Sequence, residues 1–136
     1  MTFVAGVSPW DHGDSFYARN QQLRGSDRED SISPVLSFTY REVRQHVIDT
    51  FGEMVAYGLE GICLLYNRRH PIVEYEPPLI EGFREQHGAD PRELPTDDPT
   101  WLRYRAGVLT GFTRELHDTL GVGGSHRSQP QRKWLP

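Results

Sequence analysis

The sequence contains a single cysteine, Cys63, a single lysine, Lys133, and only two methionines among its 136 residues. One cysteine excludes both an internal disulfide framework and a zinc site built from several cysteines. Because Cys63 lies in an apolar run, we expect a buried thiol rather than a catalytic nucleophile. The net charge of −4, without clustered lysine and arginine, excludes a typical nucleic-acid-binding surface.

Long hydrophobic runs are also missing. No apolar stretch approaches the roughly 20 residues that cross a bilayer, so no membrane partner is expected. The sequence has no H-x-x-x-H or H-E-x-x-H spacing of metal ligands. The glycine-rich stretch that begins at Gly121 has no strand before it and no helix after it, unlike a phosphate-binding loop. We therefore expect neither a metal nor a cofactor.

Glycine and proline are frequent instead, with 13 and 10 copies, and they mark the irregular parts of the chain. Residues 1–34 predict a long loop with at most one strand. Residues 121–136 read GVGGSHRSQPQRKWLP and predict a disordered tail, because such a composition cannot bury a core.

Apolar residues at helical spacing predict two long helices. The first covers residues 41–57, with Thr39 as its expected N-cap and Gly58 at its end. The second covers residues 98–120, with Asp98 as its N-cap and Gly121 at its end. A shorter helix is predicted from Pro78 to His87, because a proline is well tolerated in a first helical turn.

Between these helices lies a run of apolar and aromatic residues, 62–66, that does not alternate with polar ones. Such a run is typical of a strand buried on both faces, as in a parallel sheet covered by helices. Helix, strand and helix alone cannot close a domain, because the edges and faces of the strand need partners. We therefore predict that residues 1–120 are an internal section of a (β/α)8 TIM barrel, an α/β fold whose open sheet edges permit self-association.

In such barrels the functional residues follow the carboxyl ends of the strands. That position corresponds here to residues 66–78, where carboxylates, an amide, guanidinium groups and aromatic rings are dense. These groups suit a carbohydrate substrate. The predicted substrate-binding residues are Tyr66, Asn67, Arg68 and His70, and the predicted catalytic residues are Glu74 and Glu76.

The two glutamates are chosen because glycoside hydrolysis needs two carboxyl groups roughly 5–10 Å apart. In an extended chain Glu74 and Glu76 point to the same side, with their Cα atoms about 7 Å apart. The alternative is that one or both are solvated or pair with Arg68 or Arg69. The sequence leaves both interpretations open.

Four stretches resemble, in order, a family of glycosyl-hydrolase barrels often described as family 10-like. They are Leu36–Arg44, Gly58–Tyr66, Gly82–Pro91 and Trp101–Arg105. The third is similar to an F-x-x-x-Y-G-x-D-P stretch of those enzymes. The resemblance covers somewhat over half of the chain, and it implies a TIM barrel that acts on carbohydrate.

The resemblance has one departure. Related barrels often read G-I-x-L-D-x-x-R, with an acid at the end of the strand. Arg68 matches the arginine, but Leu65 stands where the acid is expected. Either Glu74 or Glu76 replaces that acid, or the acids come from strands outside this sequence, or the chemistry differs.

Three functional hypotheses follow. The first is hydrolysis of glycosidic bonds by a full-length relative to which this section belongs. The second is a non-catalytic module whose 67–78 loop binds a sugar or a partner protein, which the leucine at position 65 favours. The third is a truncated reading frame without independent function, which the polar tail favours.

Overall fold

The computed structural model describes residues 15–58 and 71–121. In these ranges the regular elements, in chain order, are α1 (Phe16–Arg19), β1 (Arg24–Ser26), β2 (Ile32–Leu36), α2 (Arg41–Val55), α3 (Pro77–His87) and α4 (Pro99–Leu120). Short 3-10 turns at Gln21–Leu23 and Pro91–Glu93 join them. The described part of the chain is therefore mostly helical, with one small sheet.

The sheet consists of β1 and β2, which pair antiparallel in the register Arg24 with Leu36 and Ser26 with Ile32. The connecting turn is organised by Asp27, whose Oδ1 accepts hydrogen bonds from Glu29 N at 3.0 Å and Ser31 N at 2.8 Å. An aspartate that accepts from the backbone two residues later is typical of tight turns. Such a short connection forces the two strands to be antiparallel.

The predicted barrel fold is therefore wrong. A (β/α) barrel is built from parallel strands that are separated by helices, whereas the strands in the described ranges form one antiparallel pair with no helix between them. This pair also lies in and beside the region that was expected to be a loop with at most one strand. The strand predicted at residues 62–66, and most of the tail predicted at 121–136, lie outside the described residues.

The long helices agree with their predicted positions, but one cap differs. The N-cap of α2 is Tyr40 rather than Thr39, and Tyr40 makes no capping bond through its side chain. Thr39 lies one residue before this cap, and its hydroxyl donates to Glu76. Gly58 adopts a positive φ of 80° just after α2, which suits a residue without a side chain.

The ends of α3 and α4 follow the predicted signals. Asp98 caps α4 by accepting from Thr100 N and Trp101 N, both at 2.9 Å. Gly88 and Gly121 end α3 and α4 in the left-handed conformation. Although α4 has 22 residues, no helix in the described ranges is both long and apolar enough to cross a membrane.

The core of the described ranges consists of three clusters, and Phe38 packs against all of them. The first joins α3 and α4 to the chain before α3, the second joins α2 to α4, and the third joins β2 to α2. Their buried members are, respectively, Val73, Tyr75, Leu79, Ile80, Phe83 and Trp101; Val47, Ile48, Phe51, Phe112 and Leu116; and Leu23, Leu36 and Val43. Trp101 and Phe112 are fully buried, as their helical spacing predicts.

Helices α3 and α4 approach closely where Gly82 faces Tyr104. A Cβ atom at position 82 would lie 2.4 Å from the Tyr104 hydroxyl oxygen, well inside any normal contact. The ring of Tyr104 also meets Phe83 edge-on, with centroids 5.3 Å apart. The absence of a side chain at Gly82 therefore sets how near the two helices lie.

Candidate functional site

The predicted site residues fall partly inside the described chain. Tyr66, Asn67, Arg68 and His70 lie outside the described residues, as does the predicted strand before them. Glu74 and Glu76 are described, and they lie in residues 71–76, which we call the 71–76 segment. This segment leads directly into α3.

The 71–76 segment is held against the sheet by backbone and serine groups. Ile72 O accepts from Phe38 N at 2.8 Å and from the Ser37 hydroxyl at 3.2 Å. At the other end, Tyr75 N donates to Ser26 O at 2.9 Å, and the Ser26 hydroxyl donates to Tyr75 O at 3.2 Å. The segment therefore contacts β1 at Ser26 and the residues just after β2, and it bends rather than forming a regular strand.

Glu76 is fully buried at the start of α3, where it is the N-cap residue. Its Oε2 accepts from the Thr39 hydroxyl at 2.8 Å, and both carboxyl oxygens lie 3.1 Å from Glu74 N. Gly25 packs beneath it, since a Cβ there would lie 3.1 Å from Glu76 Oε1. The carboxylate thus turns back on the chain and ties β1, the turn before α2 and the 71–76 segment together.

The buried carboxylate of Glu76 contributes to a change in the pKa of Tyr40, the residue after Thr39. Burial raises the pKa of the Tyr40 hydroxyl, and the nearby carboxylates of Glu76 and Glu42 raise it further. Loss of hydration disfavours the charged phenolate, and the neighbouring carboxylates disfavour a further negative charge beside them. Tyr40 therefore remains neutral to a higher pH than an exposed tyrosine.

Glu74 is half-buried, between the buried side chains of Val73 and Tyr75. Its backbone N–H is engaged by Glu76, so the two glutamates meet through the side chain of one and the backbone of the other. This differs from two carboxylates that project side by side from an extended chain. Of the two predicted catalytic acids, Glu74 is the one with access to solvent.

Arg105 of α4 is a member of this site that the sequence analysis did not single out. Its Nε and Nη2 lie 3.2 Å and 2.5 Å from Val73 O. Its guanidinium carbon is 5.9 Å from the ring centroids of both Tyr75 and Trp101. The available signal was its position four residues after Trp101, which places both on the same face of α4.

A cleft of about 280 Å³ lies near this cluster, between the start of α3 and the middle of α4. It is lined by Thr39, Arg44, Pro78, Leu79, Gly107, Val108, Gly111 and Glu115. Arg44 closes one side of it, with Nη1 donating to Phe38 O and Thr39 O at 2.9 Å and Nε to Glu115 at 3.2 Å. Thr39 therefore lines the cleft and also contacts the buried glutamate.

Within the described ranges, no group of three or more histidine, cysteine, aspartate or glutamate side chains is arranged to hold a metal ion. No protein-family model matches the sequence, and neither a curated protein nor a solved structure is significantly similar to it. The resemblance to glycosyl-hydrolase barrels thus rests on its short sequence motifs alone. The carbohydrate context that it implies stays a prediction.

Proposed function

We propose that this chain is a carbohydrate-binding protein, and that the described residues support binding rather than cleavage. The ligand-contacting residues are those of the sequence prediction, Tyr66, Asn67, Arg68 and His70, together with Glu74. The observation that carries this choice between binding and hydrolysis is the enclosure of Glu76. It favours the non-catalytic hypothesis over hydrolysis by the Glu74 and Glu76 pair.

A general acid or base must come within about 2.6–3.2 Å of the proton that it transfers. Glu76 is fully buried, and its oxygens already accept from the Thr39 hydroxyl and Glu74 N. A sugar ring has no approach to it in this arrangement. The carboxylate instead supports the 71–76 segment from beneath.

Glu74 fits the role of a binding group. Its side chain is half-exposed, and a carboxylate accepts readily from sugar hydroxyls. Asn67, Arg68 and His70 precede it closely in the chain and add donors of the kind that neutral sugars require. One accessible acid and several hydrogen-bond donors are suited to binding a sugar, whereas hydrolysis needs a second acid on the other side of the glycosidic bond.

The proposal is tested by titrating the whole chain with soluble hexasaccharides of β-linked glucose, mannose and N-acetylglucosamine. Released reducing ends are assayed in the same samples. We expect saturable binding without cleavage. Arg68→Ala and Glu74→Gln should each weaken binding about tenfold, the usual effect of one hydrogen bond to a charged group.

The matched control is Glu81→Gln, which changes an exposed glutamate on α3 and should bind as the unaltered chain does. If the unaltered chain releases reducing ends and Glu74→Gln does not, hydrolysis replaces the proposed binding function. Absence of both binding and cleavage would overturn the carbohydrate proposal and turn attention to a protein partner.

A further inference from the structure

The peptide group between Val73 and Glu74 is held at both of its poles by charged side chains. Its carbonyl oxygen accepts from two nitrogens of the Arg105 guanidinium, at 3.2 Å and 2.5 Å. Its N–H donates to the carboxylate of Glu76, at 3.1 Å from each oxygen. The positive group meets the negative pole of the peptide dipole, and the negative group meets the positive pole.

Hydrogen bonds in which one partner is charged are shorter and roughly twice as strong as neutral ones. Here two of them act on a single peptide plane from opposite sides. Val73 is 4 % exposed and Glu76 is fully buried, so water competes weakly at either pole. The orientation of this plane is therefore determined by Arg105 and Glu76 together.

The same plane sets the direction of the Glu74 side chain, because it fixes the backbone on the amino side of the Glu74 Cα. On the carboxyl side, Tyr75 N donates to Ser26 O at 2.9 Å. Glu74 is thus the one half-exposed residue between two anchored peptide groups. Its side chain is therefore attached to a backbone that is held on both sides.

Arg105 is itself held in place. Its guanidinium lies 5.9 Å from the centroids of the Tyr75 and Trp101 rings, which are tilted at 39° with centroids 5.0 Å apart. Cations are attracted to aromatic faces at about this distance, most strongly where water is excluded. Trp101 is fully buried, so α4 offers a fixed base from which Arg105 reaches the segment.

We propose that Arg105 is a positioning residue for Glu74, acting through the Val73–Glu74 peptide group, and that it thereby sets the affinity for carbohydrate. The affinity part of this inference rests on the proposed function. The positioning part does not, because the state of the Glu74 N–H is measurable without any ligand.

The test compares Arg105→Gln and Arg105→Lys with Arg103→Gln, an exposed arginine on the same helix. Amide hydrogen exchange of the whole chain is followed by NMR at Glu74, and affinity is measured for whichever hexasaccharide binds the unaltered chain. In Arg105→Gln we expect about tenfold faster exchange at Glu74 and about tenfold weaker binding, matching the loss of one charge-assisted hydrogen bond. Arg105→Lys keeps the charge and should recover part of both effects.

A purely structural role would accelerate exchange in α3 and α4 as much as at Glu74, and that uniform result would overturn the inference. The inference would also be overturned if the amide exchange rate at Glu74 in both Arg105 variants equalled the rate in Arg103→Gln. If the unaltered chain binds none of the sugars, the proposed function fails, and the exchange at Glu74 still decides the role of Arg105. Should Arg105→Gln not fold, Arg105→Lys alone carries the comparison, because it retains the cation beside Trp101.

Discussion

Glu76 places a carboxylate in a fully buried position, which is costly unless hydrogen bonds replace the lost water. The Thr39 hydroxyl and Glu74 N supply those bonds, and both donors would in turn be left unsatisfied without the acid. The contribution of Glu76 to stability therefore includes the hydrogen bonds that it provides to these two donors, as well as the cost of burying its own carboxylate. This dependence can be tested by comparing two substitutions of similar size.

We predict that Glu76→Leu destabilises the chain by about 3 kcal/mol, because unsatisfied buried donors cost about 1–3 kcal/mol each. Glu76→Gln should cost clearly less, since its amide oxygen accepts from Glu74 N and its amide group donates to the Thr39 hydroxyl. Urea unfolding measures both. Glu81→Leu, at an exposed position on α3, is the control and should change stability little. Equal losses in Glu76→Gln and Glu76→Leu would contradict this account.

The residue types of the site were partly predictable. Glu74 and Glu76 were singled out because they lie in the polar stretch after an apolar run and are spaced as a carboxyl pair, but nothing local distinguishes the half-exposed acid from the buried one. That difference arises from Gly25 and Thr39, which are distant in sequence and pack around Glu76. Arg105 was missed because an arginine on a helix is usually solvated, and its bonds to Val73 O and its packing on Trp101 set it apart.

At the scale of elements, the long helices were predictable and strand β1 was not. Helices α2 and α4 carry local signals, namely apolar spacing and end residues, so their positions follow from short stretches of sequence. Strand β1 consists of Arg24, Gly25 and Ser26 and has no apolar pattern at all. It forms through its pairing with β2 and through the bonds between Ser26 and Tyr75 of the 71–76 segment.

The N-terminal cap of α4 gives a prediction at this scale. Asp98→Ala removes the acceptor for Thr100 N and Trp101 N, and loss of such a cap typically costs about 1 kcal/mol. Thermal or urea unfolding should show this loss. Asp97→Ala is the matched control, because Asp97 is exposed and lies just before the cap. The account is wrong if the two variants lose the same stability.

At the scale of the molecule, the barrel prediction failed because its decisive strand was inferred from one apolar run without evidence for parallel neighbours. The described chain pairs its strands through a five-residue connection, 27–31, and packs α2 directly on α4. Which elements become neighbours depends on contacts between distant residues, such as Phe38 with Phe112, whose ring centroids are 5.0 Å apart. Local periodicity contains no information on such pairs.

Ion pairs around Asp90 join distant parts of the described chain. Asp90 contacts Arg84 of α3, and Arg92 bonds to Asp90 at 2.9 Å and lies 3.8 Å from Asp30 in the turn after β1. The hydrogen bonds from the Arg92 side chain hold the pKa of Asp90 well below its usual range, although partial burial opposes them. Hydrogen bonds from Arg92 N and Arg84 lower that pKa further.

This pKa shift gives a prediction about acid stability. Because the folded state lowers the pKa, Asp90 stabilises the chain above its unfolded pKa of about 4, and that stabilisation is lost as the pH falls below it. The slope of the unfolding free energy against pH is proportional to the difference in bound protons between the unfolded and folded states. Asp90→Asn should therefore reduce this slope between about pH 2 and pH 4, by an amount that corresponds to at most one proton. Urea titrations at several pH values measure the slope. Asp97→Asn, which changes an exposed acid, is the matched control, and an equally steep slope in Asp90→Asn and Asp97→Asn would contradict the prediction.

The contact between Gly82 and Tyr104 has a consequence for sequences that share this fold. Any side chain at position 82 would collide with the hydroxyl of Tyr104, so position 82 is not free to vary while that hydroxyl is present. A descendant that acquires alanine at position 82 must also shorten the residue at position 104, and phenylalanine is the smallest such change. The order of the two steps is constrained as well, because the tyrosine has to lose its hydroxyl before the glycine can gain a methyl group.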